Sequence, residues 1–331
     1  MRRFVNVTAN AVSVVVAIIP AGFCALPAMA QSYPARPVSI YVGFSAGSSN
    51  DTTARTMAQQ LTDTLGQQFV VINREGNSGV TAAALVAKSK PDGYTLSWGS
   101  ISAIALSPAM MRTMPYDATR DFAPISVYHY IPYVLVTHAS VPAGNLKALI
   151  ALAKSQPGKL SFGSTGVGTS LHLATELILT MSGVKMVHVP YRGTPSMTLD
   201  LLSGQIDLIT TSTTQVAPHI KSGRLRAIGV TSSQRSGQLP AVPTIAEAGL
   251  PGYEIVGWYS MLAPAATPRD IVTTLNKHFV QALSSPAVKA NIAAEGALPG
   301  GNSPEQFAAF IRSEVEKYAK LVKATGVKPE G

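Results

Sequence analysis

Short apolar runs alternate with helical patterns along this chain, and part-way through the alternation starts over. Apolar stretches at Val38–Val42, residues 69–72 and residues 94–98 read as strands. Between them lie helical patterns at residues 50–65, with Ala54, Met57 and Leu61 on one face, and at Val80–Ala87. Pro91-Asp92-Gly93 is a turn. The pattern then restarts. Strands are predicted at 133–137, 160–163, 187–189, 206–209 and Leu225–Val230, with helices at 146–153, up to about Met181, and at 195–202. Residues 254–262 read as one long strand. Strand–helix alternation of this kind predicts an α/β fold with parallel sheets and crossover helices. Two similar halves emerge, the second inserted in the first, so the termini would share one lobe. The tail is helical. Thr267-Pro268 opens one helix with Ile271, Leu275 and Phe279 buried. Ser303-Pro304-Glu305-Gln306 opens the last with a capping box, and Phe307, Ile311, Val315, Tyr318 and Val322 form its apolar stripe.

The first 30 residues read as a secretory leader. Arg2 and Arg3 precede an apolar core at residues 11–19 that is too short for a bilayer, and Ala28-Met29-Ala30 is a small-residue cleavage site. Phe23 before Cys24 disfavours lipidation. Cleavage after Ala30 would leave a chain with no cysteine, soluble and outside the cytoplasm. The single cysteine excludes an intrachain disulfide framework and a cysteine zinc cluster. At 46% hydrophobic and 13% charged residues, disorder is excluded too. The formal charge is +9, yet no basic run exceeds two residues, so a solvated basic surface is expected rather than a nucleic-acid footprint.

One local feature occurs twice. The first strand runs into GFSAGSSNDTTAR, and the strand ending at Phe162 runs into GSTGVGTSLHLA; each loop then enters a helix. Exposed N–H groups and the positive dipole end make a helix N-terminus an anion site. Ser45, Ser48, Ser49, Ser164, Thr165, Thr169 and Ser170 add hydroxyls. Simple helix capping by Asn50 or Asp51 and by Thr169 or Ser170 is the competing explanation for either loop alone. Two loops at matching places point to a shared cleft at the strand ends.

Other motifs carry less. Gly43-Phe44-Ser45-Ala46-Gly47 fits the G-x-S-x-G elbow of a secreted serine hydrolase, but no acid and histidine follow convincingly; His278 sits inside a helical pattern. Gly166-Val167-Gly168 begins a dinucleotide fingerprint whose third glycine is Leu171. His172, His188 and His219 lack metal-ligand spacing. Arg192, in HVPYRG, could meet a carboxylate or be a surface or interlobe residue. Trp258 and Tyr259 could line a pocket or sit in the core.

Beyond these motifs, the chain resembles the periplasmic solute-binding proteins of tripartite tricarboxylate transporters, the Bug family. The stretches that carry the resemblance include YPARPVSIYV, LGQQFVVINREG, KPDGYTL, MPYDATRDFAPIS, LHLATELI, VHVPYRG, DLLSGQIDL, PHIKSGRLRAIGVTS, LPAVPTIAEAGLPGYE and LAPAATP, spread over residues 33–328. The resemblance implies a two-lobed Venus-flytrap fold of two Rossmann-like domains with crossing hinge strands. Residues 31–132 and 257–331 would form one lobe and 133–256 the other. It also implies a small carboxylate ligand delivered to the membrane subunits of such a transporter, by a monomer with no cofactor, metal or enzymatic activity. By the same resemblance the ligand contacts would be Phe44, Ser45, Ala46, Gly47, Ser48, Asn50 and Asp51 from the first loop. Ser164, Thr165, Gly168, Thr169 and Ser170 would come from the second, with Arg192 as a further candidate. The first loop departs from the usual P-F-P-P-G-G-x-x-D, with Gly43, Ser45, Ala46 and Ser48 at altered positions. NREGNSG replaces the usual NRPGAGG.

Overall fold

The computed structural model describes Met1, residues 33–191 and residues 193–325. The expected leader's apolar core, Cys24, the expected cleavage after Ala30 and Arg192 lie outside these residues.

The first half opens with β1 (Val38–Val42), α1 (Ser49–Leu65), β2 (Phe69–Asn73), α2 (Val80–Ala87) and β3 (Thr95–Ser100). β1 lies between β2 and β3 and is parallel to both. α1 forms where the sequence predicts. Ala54, Met57, Ala58 and Leu61 recur at helical spacing and are buried, Ser48 caps the start, and Gly66, at φ 70°, ends it. A short π-turn at Ser102–Leu106 leads into α3 (Ser107–Met110).

β4 (Phe122–His138) then joins the two halves of the sheet. Its first part pairs with β9 (Val256–Pro264), the last rung being Pro132 with Val256. From Tyr133 onward its partners are β7 (Leu208–Ser212) and β8 (Leu225–Val230). Around this junction the second half is built from α4 (Leu146–Ser155), β5 (Ser161–Ser164), α5 (Ser170–Ser182), β6 (Val187–Pro190), α6 (Thr194–Leu202) and α7 (Thr213–Lys221). The tail adds α8 (Arg269–Ala282), α9 (Pro286–Ala294), β10 (Leu298–Pro299) and α10 (Pro304–Thr325). Among the described residues the strand order is β2-β1-β3-β9-β4-β7-β5-β6, with β8 and β10 also on β4.

The sheet is mixed rather than parallel. β5 is parallel to β6 and β7, but β4 and β9 are antiparallel to each other, as expected of a strand that leaves one half and a strand that returns to it. β4 also begins 11 residues before the predicted strand at 133. Pro124 and Pro132 disfavour a strand locally, yet the ladder with β9 includes both, with register shifts near Pro124 and Val127. The junction is tied across. Tyr133 N–H donates to Thr231 Oγ1 (2.9 Å), and Ile255 N–H donates to the Thr231 carbonyl (3.0 Å).

Separate apolar cores sit in the two halves. Ile40, Met57, Leu61, Trp98 and Phe279 belong to one, and Leu149, Phe162, Ile178, Leu208 and Tyr253 to another. Each such side chain contributes ~1.5–3 kcal/mol when fully buried. Trp258 is buried and donates to Glu314 (3.0 Å), so of its two expected places it takes the core. The capping box at α10 forms: Ser303 N–H donates to Gln306 Oε1 (2.9 Å), and Gln306 N–H to Ser303 Oγ (3.2 Å). Among the described residues no helix is long and apolar enough to cross a membrane.

Candidate functional site

The first loop, residues 43–48, is set by a buried carboxylate. Asp51, on the first turn of α1, is 2% exposed. It accepts from Gly47 N–H (2.9 Å), Arg55 Nε (2.9 Å) and Asn73 Nδ2 (2.8 Å). Asn73 Nδ2 also donates to the Phe44 carbonyl (3.0 Å), and Arg55 Nη2 donates to Asn73 Oδ1 (3.0 Å). Burial alone would raise the Asp51 pKa. The hydrogen bonds from Arg55, Gly47 and Asn73 outweigh it and hold the carboxyl below the usual carboxylate range. Asp51 therefore acts on the loop from beneath. Ser45, Ala46 and Gly47 are exposed, Phe44 packs against the core, and Ser48 caps α1 by accepting from Asp51 N–H (3.3 Å). Asn50 is 2% exposed, and neither of its amide atoms has a protein partner.

Gly43 lets this loop touch the next one. A Cβ there would lie 2.3 Å from the Gly79 Cα, a backbone atom with no room to move. The segment it meets, residues 76–79, is left-handed throughout: φ is 135° at Gly76, 46° at Asn77, 54° at Ser78 and 93° at Gly79.

The second loop, residues 165–169, is supported by histidines. Ser164 is buried, with its Oγ 2.7 Å from His188 Nε2, and it accepts from Gly166 N–H (3.1 Å). Gly168 N–H donates to His172 Nδ1 (3.2 Å), which makes Nδ1 the acceptor and the ring neutral. The His172 ring stacks on Phe162 and lies 4.2 Å, centroid to centroid, from that of His188. Burial, and then the neighbouring His188, push the His172 pKa down to about 4. Thr169 caps α5, accepting from His172 N–H (3.3 Å) and donating to the Gly166 carbonyl (2.9 Å). Ser170 Oγ lies 3.0 Å from the Tyr133 hydroxyl. Thr165 is half-buried. The N–H groups of Ser170 and Leu171, first and second in α5, have no partner within the helix.

A cavity of about 270 Å³ connects the second loop to the first half of the molecule. One wall is Val167, Gly168 and Thr169. The opposite wall is Asn77, Ser78, Ser102 and Ser107, with an apolar strip of Leu106, Met110 and Met111. The walls touch, since a Cβ on Gly168 would lie 2.7 Å from Met110 Cε. No charged side chain lines the cavity among the described residues. Of the thirteen residues predicted for the site, Gly168 and Thr169 line this cavity. The first loop stands behind it, through the Gly43–Gly79 contact, and Arg192 lies outside the described residues. Sequence reasoning missed the opposite wall, although the Gly-x-x-Gly spacing of residues 76–79 was a usable sign of a tight turn. Ser45, the candidate nucleophile, makes no side-chain hydrogen bond to a histidine or carboxylate among the described residues. No cluster of three metal-ligating side chains occurs among them either.

With this geometry in hand, comparison with known proteins is decisive. The sequence pattern described as "Tripartite tricarboxylate transporter family receptor" matches residues 53–327. The chain belongs to this receptor family. It is 40% identical to Protein BugT of Bordetella pertussis over 312 residues, covering 94% of this chain and 95% of that one. The solved structure of R. palustris Rpa4515 with adipate is 37% identical with a TM-score of 0.76, over 90% of this chain and all of that one. MatC (Rpa3494) from Rhodopseudomonas palustris with bound malate is 28% identical with a TM-score of 0.72, over 88% of this chain and all of that one. The receptor has the α/β, two-lobed periplasmic-binding-protein fold, its two Rossmann-like domains joined by the crossing strands β4 and β9.

Proposed function

We propose that this receptor works outside the cytoplasm, capturing a small carboxylate between its lobes and passing it to the membrane subunits of a tripartite tricarboxylate transporter. The observation that carries the proposal is the cavity between the α5 N-terminus and the wall of residues 77–111, built from both halves of the sheet. The free N–H groups of Ser170 and Leu171 and the helix dipole suit a carboxylate there without any cationic side chain. Relatives solved with adipate and with malate support that ligand class. Each charged hydrogen bond contributes ~1.5–3 kcal/mol, so three or four would account for a micromolar ligand at ~8 kcal/mol.

On this reading residues 31–132 and 257–331 form one lobe, and 133–256 form the other. Ser164, Thr165, Gly168, Thr169 and Ser170 shape the second loop around the ligand, with Arg192 as a further candidate contact. In the first loop, Ser45, Ala46 and Gly47 form the exposed edge of the cleft, Phe44, Ser48 and Asn50 support that loop from beneath, and Asp51 is a positioning residue. A ligand that touches both walls favours closure by its differential affinity for the closed form. The receptor acts as a monomer, without cofactor, nucleic acid or covalent chemistry, after removal of its leader past Ala30. The alternative of a secreted serine hydrolase needs a base beside Ser45, and the absence of such a bond among the described residues favours binding.

The test is a thermal-shift screen of the processed protein against mono-, di- and tricarboxylates and neutral sugars. Binding raises apparent stability by ~2.7 kcal/mol at a hundredfold excess over Kd. A shift with at least one acid and none with the sugars is expected. Shifts with sugars alone would overturn the proposal.

A further inference from the structure

Asn77 and Ser78 are the only non-glycine residues at positive φ among the described residues, and they are adjacent. Glycine occupies such conformations freely, whereas a side chain makes them unfavourable, least so for asparagine. Neither side chain repays that cost through the fold. Both are exposed at the cavity, and neither makes a side-chain hydrogen bond among the described residues. Both belong to the same wall as Ser102 and Ser107, whose hydroxyls add further uncharged donors and acceptors.

We propose that Asn77 and Ser78 select the ligand's far end, and that this end carries an uncharged hydrogen-bonding group, a hydroxyl or a carboxamide, rather than a second carboxylate. This deepens, and rests on, the reading of the cavity as a carboxylate site. With the acid group at the α5 N-terminus, the ligand body lies along Leu106, Met110 and Met111 and its other end reaches residues 77 and 78. An amide side chain both donates and accepts, so it satisfies a hydroxyl or carboxamide fully. When the lobes close over the ligand, a second carboxylate would meet no cationic lining residue among the described ones, and its lost hydration would go uncompensated. The left-handed turn at residues 76–79 thus presents a selective edge.

The experiment is isothermal titration of the processed protein with two matched sets: adipate, its monoamide and 6-hydroxyhexanoate, and succinate, its monoamide and 4-hydroxybutyrate. Wild type is expected to bind the uncharged-ended acid of at least one set about tenfold or more tighter than the diacid, the scale of one well-made hydrogen bond. The double variant Asn77→Gly/Ser78→Gly should bring that ratio to within about threefold, with a melting temperature at or above wild type. Asn77→Asp keeps the shape and tolerates the same backbone, and should weaken the diacid a further tenfold or so. Equal or tighter diacid binding by wild type overturns the selection. So does a preference that survives the glycine substitutions. If wild type binds no acid of either set, the carboxylate reading falls first and the selection falls with it.

Discussion

Asp51→Asn isolates the clamp beneath the first loop. Every group facing Asp51 is a donor: Gly47 N–H and Arg55 Nε to one oxygen, Asn73 Nδ2 to the other. A carboxylate accepts from all three. An amide of the same shape must turn its NH2 toward one side, losing either the Asn73 bond or the pair from Gly47 and Arg55. The cheaper choice sets Nδ2 against Nδ2 and leaves two donors opposed, at about 1–3 kcal/mol. Loss of the charge adds little through Arg55, whose side chain is 50% exposed and screened by water. The total is about 1–3 kcal/mol, or roughly 2–5 °C of melting temperature for a chain of this size. The difference should also depend on pH. Because hydrogen bonding lowers the folded-state pKa of Asp51, its contribution is fully present above the unfolded value of 3.8 and disappears as pH falls through the lower folded value. Thermal melts followed by circular dichroism at several pH values measure both effects. Melting within 1 °C of wild type at pH 7 would refute the clamp.

Three further outcomes are expected. Gly168→Ala places a Cβ 2.7 Å from Met110 Cε at φ +75°, so it should destabilise by about 1–2 kcal/mol and weaken acid binding; unchanged titration isotherms would contradict the close approach of the cavity walls. His129 and His172 are buried and neutral, with pKa values pushed down by burial to about 3 and, with His188 adding to it, about 4, from 6.5 unfolded. The unfolded chain binds more imidazole protons in between, so each histidine should lower stability toward pH 4 by about 1 kcal/mol per pH unit, against an opposite contribution from Glu176 and Glu295, whose pKa values burial raises. Melts from pH 7.5 to 4.5 give the slope, and His172→Gln should shrink it; an identical slope would exclude His172 as a contributor. Ser45→Ala should weaken acid binding only a few-fold, with ester turnover at background before and after; turnover lost with the hydroxyl would revive the hydrolase.

How much of this was legible in the sequence varies with how local its cause is. The strands and helices with clean periodicity, β1 and α1 above all, follow from Ala54, Met57 and Leu61 and from Ser48 at the cap. Both loops stand at helix N-termini, as their glycines and hydroxyls implied. The early part of β4 was hidden because Pro124 and Pro132 argue locally against a strand, and only pairing with β9 overrides them. The clamp was half visible. Arg55 stands four residues after Asp51, a helical ion-pair spacing, but the Asn73 contact is long-range. Nothing local shows that Ser78 adopts a left-handed backbone or that Met110 meets Gly168. The packing of two distant segments sets both.

The most direct measurement is a co-crystal structure of the processed receptor with the acid that shifts its melting temperature most. One carboxylate oxygen is expected within hydrogen-bond reach of the Ser170 or Leu171 N–H, with the ligand body against Met110 and Met111. An acid seated elsewhere, such as the groove between α6 and α7 lined by Leu199 and Arg224, would contradict it.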